Sequence, residues 1–173
     1  VPVPAKATIM ADYLPVKSSN DNDADLQVFL KRLRAAGVAV LDLKPRLARL
    51  TARGIPAYLR PDTHWSPEGM AVSAAAIAEW LTGHGLAATS NKPRADEHRT
   101  TALRGDLVQM REGSKGPPSE TVVVAVPTLD AAATDRNSPI VLLGDSHALV
   151  FSAGGDMHAQ DAGLAEHLAT RID

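Results

Sequence analysis

The chain of 173 residues contains no cysteine, which excludes disulfides and thiol nucleophiles. Aromatic residues make up only 3% of the sequence, so we expect a core built mostly from alanine, leucine and valine. A basic excess is also absent: the net charge is −2 and the isoelectric point about 6.3, so nucleic acid is not an expected partner. No apolar run approaches the roughly 20 residues that a membrane-spanning helix needs.

The sequence opens at Val1, without a methionine and without a visible signal peptide. We therefore expect a mature or excised fragment of a longer protein. Residues 1–173 are predicted to form a single domain, because 45% hydrophobic and 22% charged residues are typical of globular proteins. A domain of this length buries roughly 70% of the surface of its unfolded chain.

Segments typical of strands and of helices alternate along the chain. Apolar segments predict strands over 1–9, 38–43, 57–60, 121–126 and 139–143. Helices are predicted from Asp23 or Asp25 to Gly37, and over 45–53, 67–81, 106–112 and 162–171. The polar segment 87–101 is predicted to be a loop. This alternation predicts an α/β domain, a three-layer sandwich with a mainly parallel sheet between helices.

The sequence Gly144-Asp145-Ser146-His147 follows the apolar segment 139–143. A serine at the end of a buried strand lies where α/β sheets expose their reactive groups. Ser146 is therefore a candidate nucleophile. The simpler interpretation is that Ser146 or Asp145 caps a helix that follows the strand.

The sequence Asp62-Thr63-His64-Trp65 supplies a carboxylate and an imidazole two residues apart, which in an extended stretch leave the same side of the chain. Asp62 could hold the tautomer of His64 and stabilise its imidazolium form. Ser66 is predicted to cap the next helix, whose positive end disfavours imidazolium at His64; Asp62 would offset that effect. The simpler interpretation is an Asx turn at Asp62 beside a partly buried histidine.

A metal pair at Asp62 and His64 is a further alternative. No HExxH motif or compact ligand spacing involves the other histidines, at positions 84, 98, 147, 158 and 167. No metal or other cofactor is therefore expected.

Four neighbours of the two motifs are candidates for oxyanion or substrate contacts: Asp145, His147, Trp65 and Arg60. Trp65 is most simply a core anchor, and a sugar-stacking platform is the alternative. His147 could touch substrate or face solvent. A basic edge on the helix over 45–53 could be a solvated face or could meet an anionic polysaccharide; it comprises Lys44, Arg46, Arg49 and Arg53.

The octet Asp-Thr-His-Trp-Ser-Pro-Glu-Gly at 62–69 resembles the signature of the alginate O-acetyltransferase family of SGNH-hydrolase-like proteins. Residues 4–9, 13–15 and 104–107 resemble the same family, and Gly-Asp-Ser-His is similar to the nucleophile block of the wider SGNH superfamily. In ordinary SGNH hydrolases the serine block comes first. The reversed order here is that of the acetyltransferase-like branch, so the resemblance implies an SGNH or flavodoxin-like fold with permuted motif order.

The resemblance implies O-acetyl transfer to sugar hydroxyls of a bacterial exopolysaccharide, in the periplasm or at the cell surface. Ser146 would carry the acyl group, His64 would act as base and acid, and Asp62 would orient His64. The acetyl group would arrive through a membrane-bound O-acyltransferase partner. A carbohydrate acetylesterase with the same triad and a non-catalytic polysaccharide-binding or assembly module remain alternatives.

The oxyanion hole is only partly predicted. The Ser146 N–H at a helix start would be one donor. SGNH enzymes add a Gly-x-Asn-Asp block, which this chain lacks, and Asn91 and Asn137 stand outside any such context.

Overall fold

The structure, a computed structural model, describes residues 1–13, 24–90, 96–113, 115–128 and 138–173. Within these ranges the helices are α1 (Lys6–Ile9), α2 (Ala24–Ala35), α3 (Lys44–Ala52), α4 (Pro67–Gly83), α5 (Asp106–Glu112), α6 (Ser146–Leu149) and α7 (Leu164–Ala169). The strands are β1 (Asp96–Leu103) and β2 (Glu120–Pro127). Single 3₁₀ turns lie at Ala11–Tyr13 and Gly155–Met157. Among the described helices, none has the length and apolarity that crossing a membrane requires.

Helix α4 begins where its sequence predicts. The Ser66 hydroxyl accepts a hydrogen bond from the Gly69 N–H at 3.0 Å, and Pro67 occupies the first helical position. Gly69 is required for space, because a Cβ there would lie 2.1 Å from the carbonyl oxygen of Ala57. The alanine-rich helix packs against α3, α7 and β2. Its small side chains thus let the loop before it approach closely.

One hydrophobic core joins distant parts of the chain. Its largest fully buried side chains include Trp65, Tyr58 and Phe151. The core-anchor interpretation of Trp65 is therefore confirmed, since 1% of its surface is exposed. Burial of such rings favours folding, because each removes a large apolar area from water.

The two strands pair antiparallel, from Asp96 opposite Pro127 to Leu103 opposite Glu120. Strand β2 confirms the apolar segment predicted at 121–126. Strand β1 corrects part of the loop predicted at 87–101. Its side chains are mostly exposed, so the sequence carries little apolar alternation, and its pairing with β2 rather than its own composition makes it a strand.

Four predicted strands are not strands. Residues 1–9 contain α1, residues 38–43 have no regular structure, and residues 57–60 contribute only a bridge between Tyr58 and Trp65. Residues 139–143 are likewise irregular: Val141 is 77% and Leu143 88% exposed. An apolar run becomes a strand only when another strand pairs with it, and none does among the described residues.

The predicted mainly parallel sheet is consequently not confirmed. The antiparallel pair β1–β2 is the sheet that the described residues form. The helix predictions fare better: α3 and α5 match closely, and α7 is shorter than the predicted 162–171. Helix α2 includes Asp25 in its first turn and Gly37 follows it with φ of +80°, whereas Asp23 lies outside the described residues.

Lys6 fixes the loop that leads from Tyr58 to Trp65. Its ammonium donates to the carbonyl oxygens of Leu59, Arg60 and Asp62 at 2.7, 2.8 and 2.9 Å. All three donors of the ammonium are therefore engaged by one loop. Burial lowers the pKa of Lys6, although nearby carboxylates oppose that change.

Gly105 gives the same loop room on its other side. A Cβ there would lie 2.1 Å from the Pro61 oxygen and 2.8 Å from the Asp62 Cβ. We expect Gly105→Ala to reduce the free energy of unfolding by about 1–3 kcal/mol, since the loop must move to relieve the overlap. Urea unfolding checks this.

Gly83→Ala is the matched control, because nothing lies within 4 Å of a Cβ there. The control should be neutral or slightly stabilising. Equal midpoints for both variants would contradict the close packing of Gly105.

Candidate active site

Asp62 and His64 form a buried pair in the loop before α4. One carboxylate oxygen of Asp62, Oδ1, accepts from the His64 backbone N–H at 2.8 Å and from the ring Nδ1 at 2.5 Å. The first contact is the predicted Asx turn and the second is the predicted pairing, so both interpretations hold together. The loop is closed by hydrogen bonds from Leu59 N to His64 O and from Ser66 N to Ala57 O.

The other oxygen of Asp62, Oδ2, accepts from the Asp106 backbone N–H and from His158 Nε2, each at 2.9 Å. Asp62 is 1% exposed. Burial alone would raise the pKa of Asp62, but the hydrogen bonds from His158, His64 and Asp106 outweigh it and hold that pKa well below its ordinary value. Asp62 is therefore an ionised carboxylate with both oxygens held.

His64 turns its second nitrogen away from Asp62. With Nδ1–H donating to the carboxylate, Nε2 carries the lone pair, and Nε2 is buried without a hydrogen-bond partner in the described part of the chain. The hydrogen bond to Asp62 raises the pKa of His64, and burial opposes it. The Asp62 interaction thus outweighs burial at this imidazole, which is a base with an open acceptor.

The Gly-Asp-Ser-His motif lies beside this imidazole. Asp145 caps α6, as predicted, because its carboxylate accepts from the His147 N–H at 2.9 Å. Ser146 is the first residue of α6 and is half-buried. The His147 ring lies 5.1 Å from the ring of His64 and meets Trp65 edge-on at 5.3 Å, measured between centroids. Burial and the charge of His64 lower the pKa of His147.

No hydrogen bond joins Ser146 Oγ to His64 Nε2, since Nε2 has no hydrogen-bond partner among the described residues. The two residues that flank Ser146 nevertheless reach His64: His147 through its ring and Asp145 through its charge. The fold therefore brings the serine motif next to the His64 imidazole. Neither motif follows a strand of the observed sheet.

The other candidates are more peripheral. Arg60 is exposed, and its backbone N–H donates to Glu120 Oε2 at 3.0 Å. On the basic edge of α3, Arg46 forms an ion pair with Glu79 at 2.6 Å, and both side chains are substantially exposed. This contact favours a solvated face. Asn91 and Asn137 lie outside the described residues.

Two residues of the site were not among the predicted site residues, although one of them, Asp106, lies in the segment 104–107 that resembles the family. Asp106 accepts from the backbone N–H of Thr63 at 2.8 Å and also from its hydroxyl, so it closes the loop around Asp62. His158 contacts Asp62 across 96 positions of sequence. Gly154 and Gly155 lie shortly before His158, and this pair of glycines was the sequence signal that the backbone turns sharply there.

The fold creates a compact group that the sequence spacing did not show. Asp62, His64 and His158 present nitrogen and oxygen atoms within 4.8 Å of one another. The nitrogen–oxygen separations of 2.5 and 2.9 Å are those of closed hydrogen bonds. An ion bound at about 2.0–2.2 Å from each atom would need these pairs to separate. The geometry accordingly favours a hydrogen-bond network over a metal centre.

Comparison with known proteins gives consistent results. The family model described as "SGNH hydrolase-like domain, acetyltransferase AlgX" matches residues 1–170. Two curated relatives are named "Probable alginate O-acetylase AlgJ". The one from Pseudomonas putida is 29% identical over 165 residues, covering 84% of this chain and 42% of the relative. The one from Pseudomonas fluorescens is 26% identical over 161 residues, covering 84% and 40%.

A solved structure, the O-acetyltransferase domain of Pseudomonas putida AlgJ, superposes with a TM-score of 0.66 at 27% identity, covering 99% of this chain and 59% of that one. The chain thus spans about two fifths of the length of the curated relatives. Because the family model extends over nearly all of its residues, this chain belongs to the family of SGNH hydrolase-like domains of the acetyltransferase AlgX type.

Proposed function

We propose that this chain is the catalytic domain of an O-acetyltransferase that acetylates sugar hydroxyls of a bacterial exopolysaccharide through an acyl-serine intermediate on Ser146. One observation carries the proposal: a buried Asp62–His64 pair leaves His64 Nε2 without a partner next to the serine motif. The names of the relatives, which are alginate O-acetylases, support acetyl transfer to a polysaccharide.

In the first step, His64 Nε2 takes the proton of Ser146 while Oγ attacks the carbonyl carbon of the acetyl donor. The donor's leaving group departs with that proton, and the acetyl group stays on Oγ. A movement of α6 or a change of the Ser146 rotamer would be needed to bring Oγ to Nε2. Such contacts are often loose without substrate and tighten in the complex.

In the second step, a sugar hydroxyl gives its proton to His64 Nε2 and attacks the acyl carbon. The proton then returns to Ser146 Oγ as the ester to the sugar forms, so the enzyme is restored. Asp62 stabilises the imidazolium in both steps. Its four hydrogen bonds keep it ionised and fixed, which suits that role.

The proposal also includes the cellular location of the domain and the source of its acetyl groups. We expect the domain to work in the periplasm or at the cell surface and to receive acetyl groups through a membrane-bound O-acyltransferase. We also propose a mainly parallel sheet in a three-layer sandwich, which the match to the SGNH hydrolase-like family supports. The oxyanion would accept a hydrogen bond from the Ser146 backbone N–H.

The acetylesterase alternative has one observation in its favour. Trp65, the aromatic residue of the octet, is buried and cannot stack on an acceptor sugar. With water as acceptor the same residues would perform hydrolysis. The alternative of a non-catalytic binding module predicts that no acyl-enzyme forms, and an assay with an activated acetyl ester tests it.

Ser146→Ala should abolish acyl-enzyme formation from an activated acetyl ester, and Asp62→Asn should slow turnover by about 10⁴-fold, as loss of the orienting carboxylate does in a serine triad. Intact-protein mass spectrometry detects the acetyl group and a burst assay its rate. Ser138→Ala is the matched control, since Ser138 is exposed and contacts only the backbone of Ile140 among described residues. Equal bursts in all variants would refute the assignment.

Activity should fall as pH decreases through the pKa of His64, because only the neutral ring accepts a proton. The hydrogen bond to Asp62 raises that pKa above 6.5, so the acid limb of kcat/KM should have its midpoint above 6.5. Asp145→Asn keeps the helix cap but removes one of the charges that raise the pKa of His64. The limb should therefore move to lower pH in this variant; an unmoved limb would contradict the electrostatic argument.

The isolated chain should show weak esterase activity and little transfer to oligosaccharides. Transfer requires a groove that holds the acceptor against the acyl-serine while far more concentrated water competes. The chain spans only two fifths of its relatives' length, and their remaining residues or a partner would supply that groove. Product analysis with and without an acceptor oligosaccharide measures the partition. Efficient transfer by these 173 residues would overturn this expectation.

A further inference from the structure

We infer that His158 is a positioning residue, which holds the Asp62 carboxylate in place for His64 and registers the serine segment against that pair; this inference rests on the proposed function. Its Nε2 lies 2.9 Å from Asp62 Oδ2, on the oxygen that His64 does not use. His158 is itself largely buried, with 8% of its side chain exposed. Its ring also meets that of His64 edge-on, 6.4 Å between centroids.

The backbone of His158 is strained in a way that serves this contact. Its φ is +70° and ψ −46°, and the Ala159 N–H donates to the Met157 oxygen at 2.8 Å. This is a γ-turn with positive φ, a rare and strained conformation for a residue with a side chain. Strain of this kind persists only where the surrounding structure imposes it, and it concentrates at functional sites. Here it directs the imidazole to Asp62.

The surrounding structure is the segment that follows Ser146. The Phe151 N–H donates to Met157 O, the Gly154 N–H donates to Ala159 O, and the Ala162 N–H donates to Phe151 O, each at 2.8 Å. Phe151 is fully buried and anchors this unit in the core. Because α6 leads directly into it, the turn is continuous with the nucleophile segment. The His158–Asp62 bond therefore links the serine segment to the loop that carries His64.

The chemical consequence concerns the orientation of the carboxylate. Without His158, the backbone N–H of Asp106 would be the single remaining donor to Oδ2 among the described contacts. Asp62 could then rotate about its χ2 angle, and its Oδ1 would leave the His64 Nδ1–H. The His64 imidazole would then lose its fixed tautomer and its fixed ring orientation, so Nε2 would no longer be held in one position. His158 touches neither nucleophile nor acyl group in this scheme, so it is not a catalytic residue.

Four variants of the full chain separate side-chain positioning from backbone geometry. In His158→Gln the amide nitrogen occupies nearly the place of the imidazole Nε2 and can still donate to Asp62. In His158→Asn the amide is too short to reach, although asparagine tolerates positive φ better. His158→Gly removes the side chain and the strain together. His158→Ala removes the donor but keeps the strain.

We expect kcat for acyl-enzyme formation to fall roughly 10²-fold in the glycine, alanine and asparagine variants, the scale of a small misplacement of catalytic groups. The glutamine variant should recover at least tenfold of that loss. A role confined to the turn predicts the opposite order, with glycine and asparagine close to wild type and glutamine impaired. That order, or wild-type turnover in His158→Gly, would overturn the inference.

A second readout does not depend on acyl chemistry. The His64 Nδ1–H proton that is held by Asp62 should give a sharp low-field proton resonance in the wild type and in His158→Gln. It should broaden or disappear in His158→Gly, while thermal unfolding verifies that this variant is folded. Loss of the resonance in a folded protein supports positioning even if no acetyl transfer is found. Its full retention in the glycine variant would contradict it.

Discussion

The ionised carboxylate of Asp62 is the interaction on which the rest of the site depends. An isolated carboxylate buried to this degree would cost several kcal/mol, and it would normally bind a proton instead. Four donors prevent this: the His64 backbone and ring, the Asp106 backbone and the His158 ring. Each donor comes from a segment that other contacts hold in place. The Asp62 carboxylate and the segments that donate hydrogen bonds to it therefore stabilise each other.

The supports of this carboxylate come from widely separated parts of the sequence. Lys6 binds the carbonyl oxygens of the same loop, and Gly105 lets the backbone before α5 approach it. Asp106 then contributes through both its backbone and its side chain. The γ-turn at His158 places the remaining donor, His158 Nε2, against Asp62 Oδ2. An apolar residue at position 62 would leave all four of these donors without an acceptor, and unmet buried donors are costly.

Local signals were sufficient wherever the structure is decided by nearby residues. The Ser66 cap, Pro67 at the helix start and the pairing of Asp62 with His64 involve residues at most three positions apart, so spacing and side-chain chemistry predict them. The cap at Asp145 is of the same kind. The burial of Trp65 also agrees with its interpretation as a core anchor, whereas Phe29 is 54% exposed, so aromatic type alone does not decide burial.

Long-range pairing was beyond those signals. Strand β1 has a polar sequence and exists because β2 lies beside it, whereas residues 139–143 have an apolar sequence and no partner among the described residues. The contact of His158 with Asp62 likewise depends on how the whole chain returns to the site. The hydrophobic periodicity of a segment indicates which of its side chains could be buried. The topology of the whole chain determines which other segments it packs against. A single sequence reports the first and not the second.

The two nitrogens of the His64 ring consequently differ in how firmly their surroundings are fixed. The Nδ1 side faces a saturated, buried carboxylate whose geometry is fixed by several segments. The Nε2 side has no hydrogen-bond partner among the described residues. Helix α6, four residues long with a half-buried serine at its start, comes close to the ring through His147. The proton affinity of His64 is therefore raised chiefly by Asp62 and also by the charges of Asp106 and Asp145, while in the proposed mechanism the choice of acyl acceptor depends on what reaches the imidazole beside Ser146. A transferase and an esterase can share the first side unchanged and differ only on the second, because water and a sugar hydroxyl require the same base.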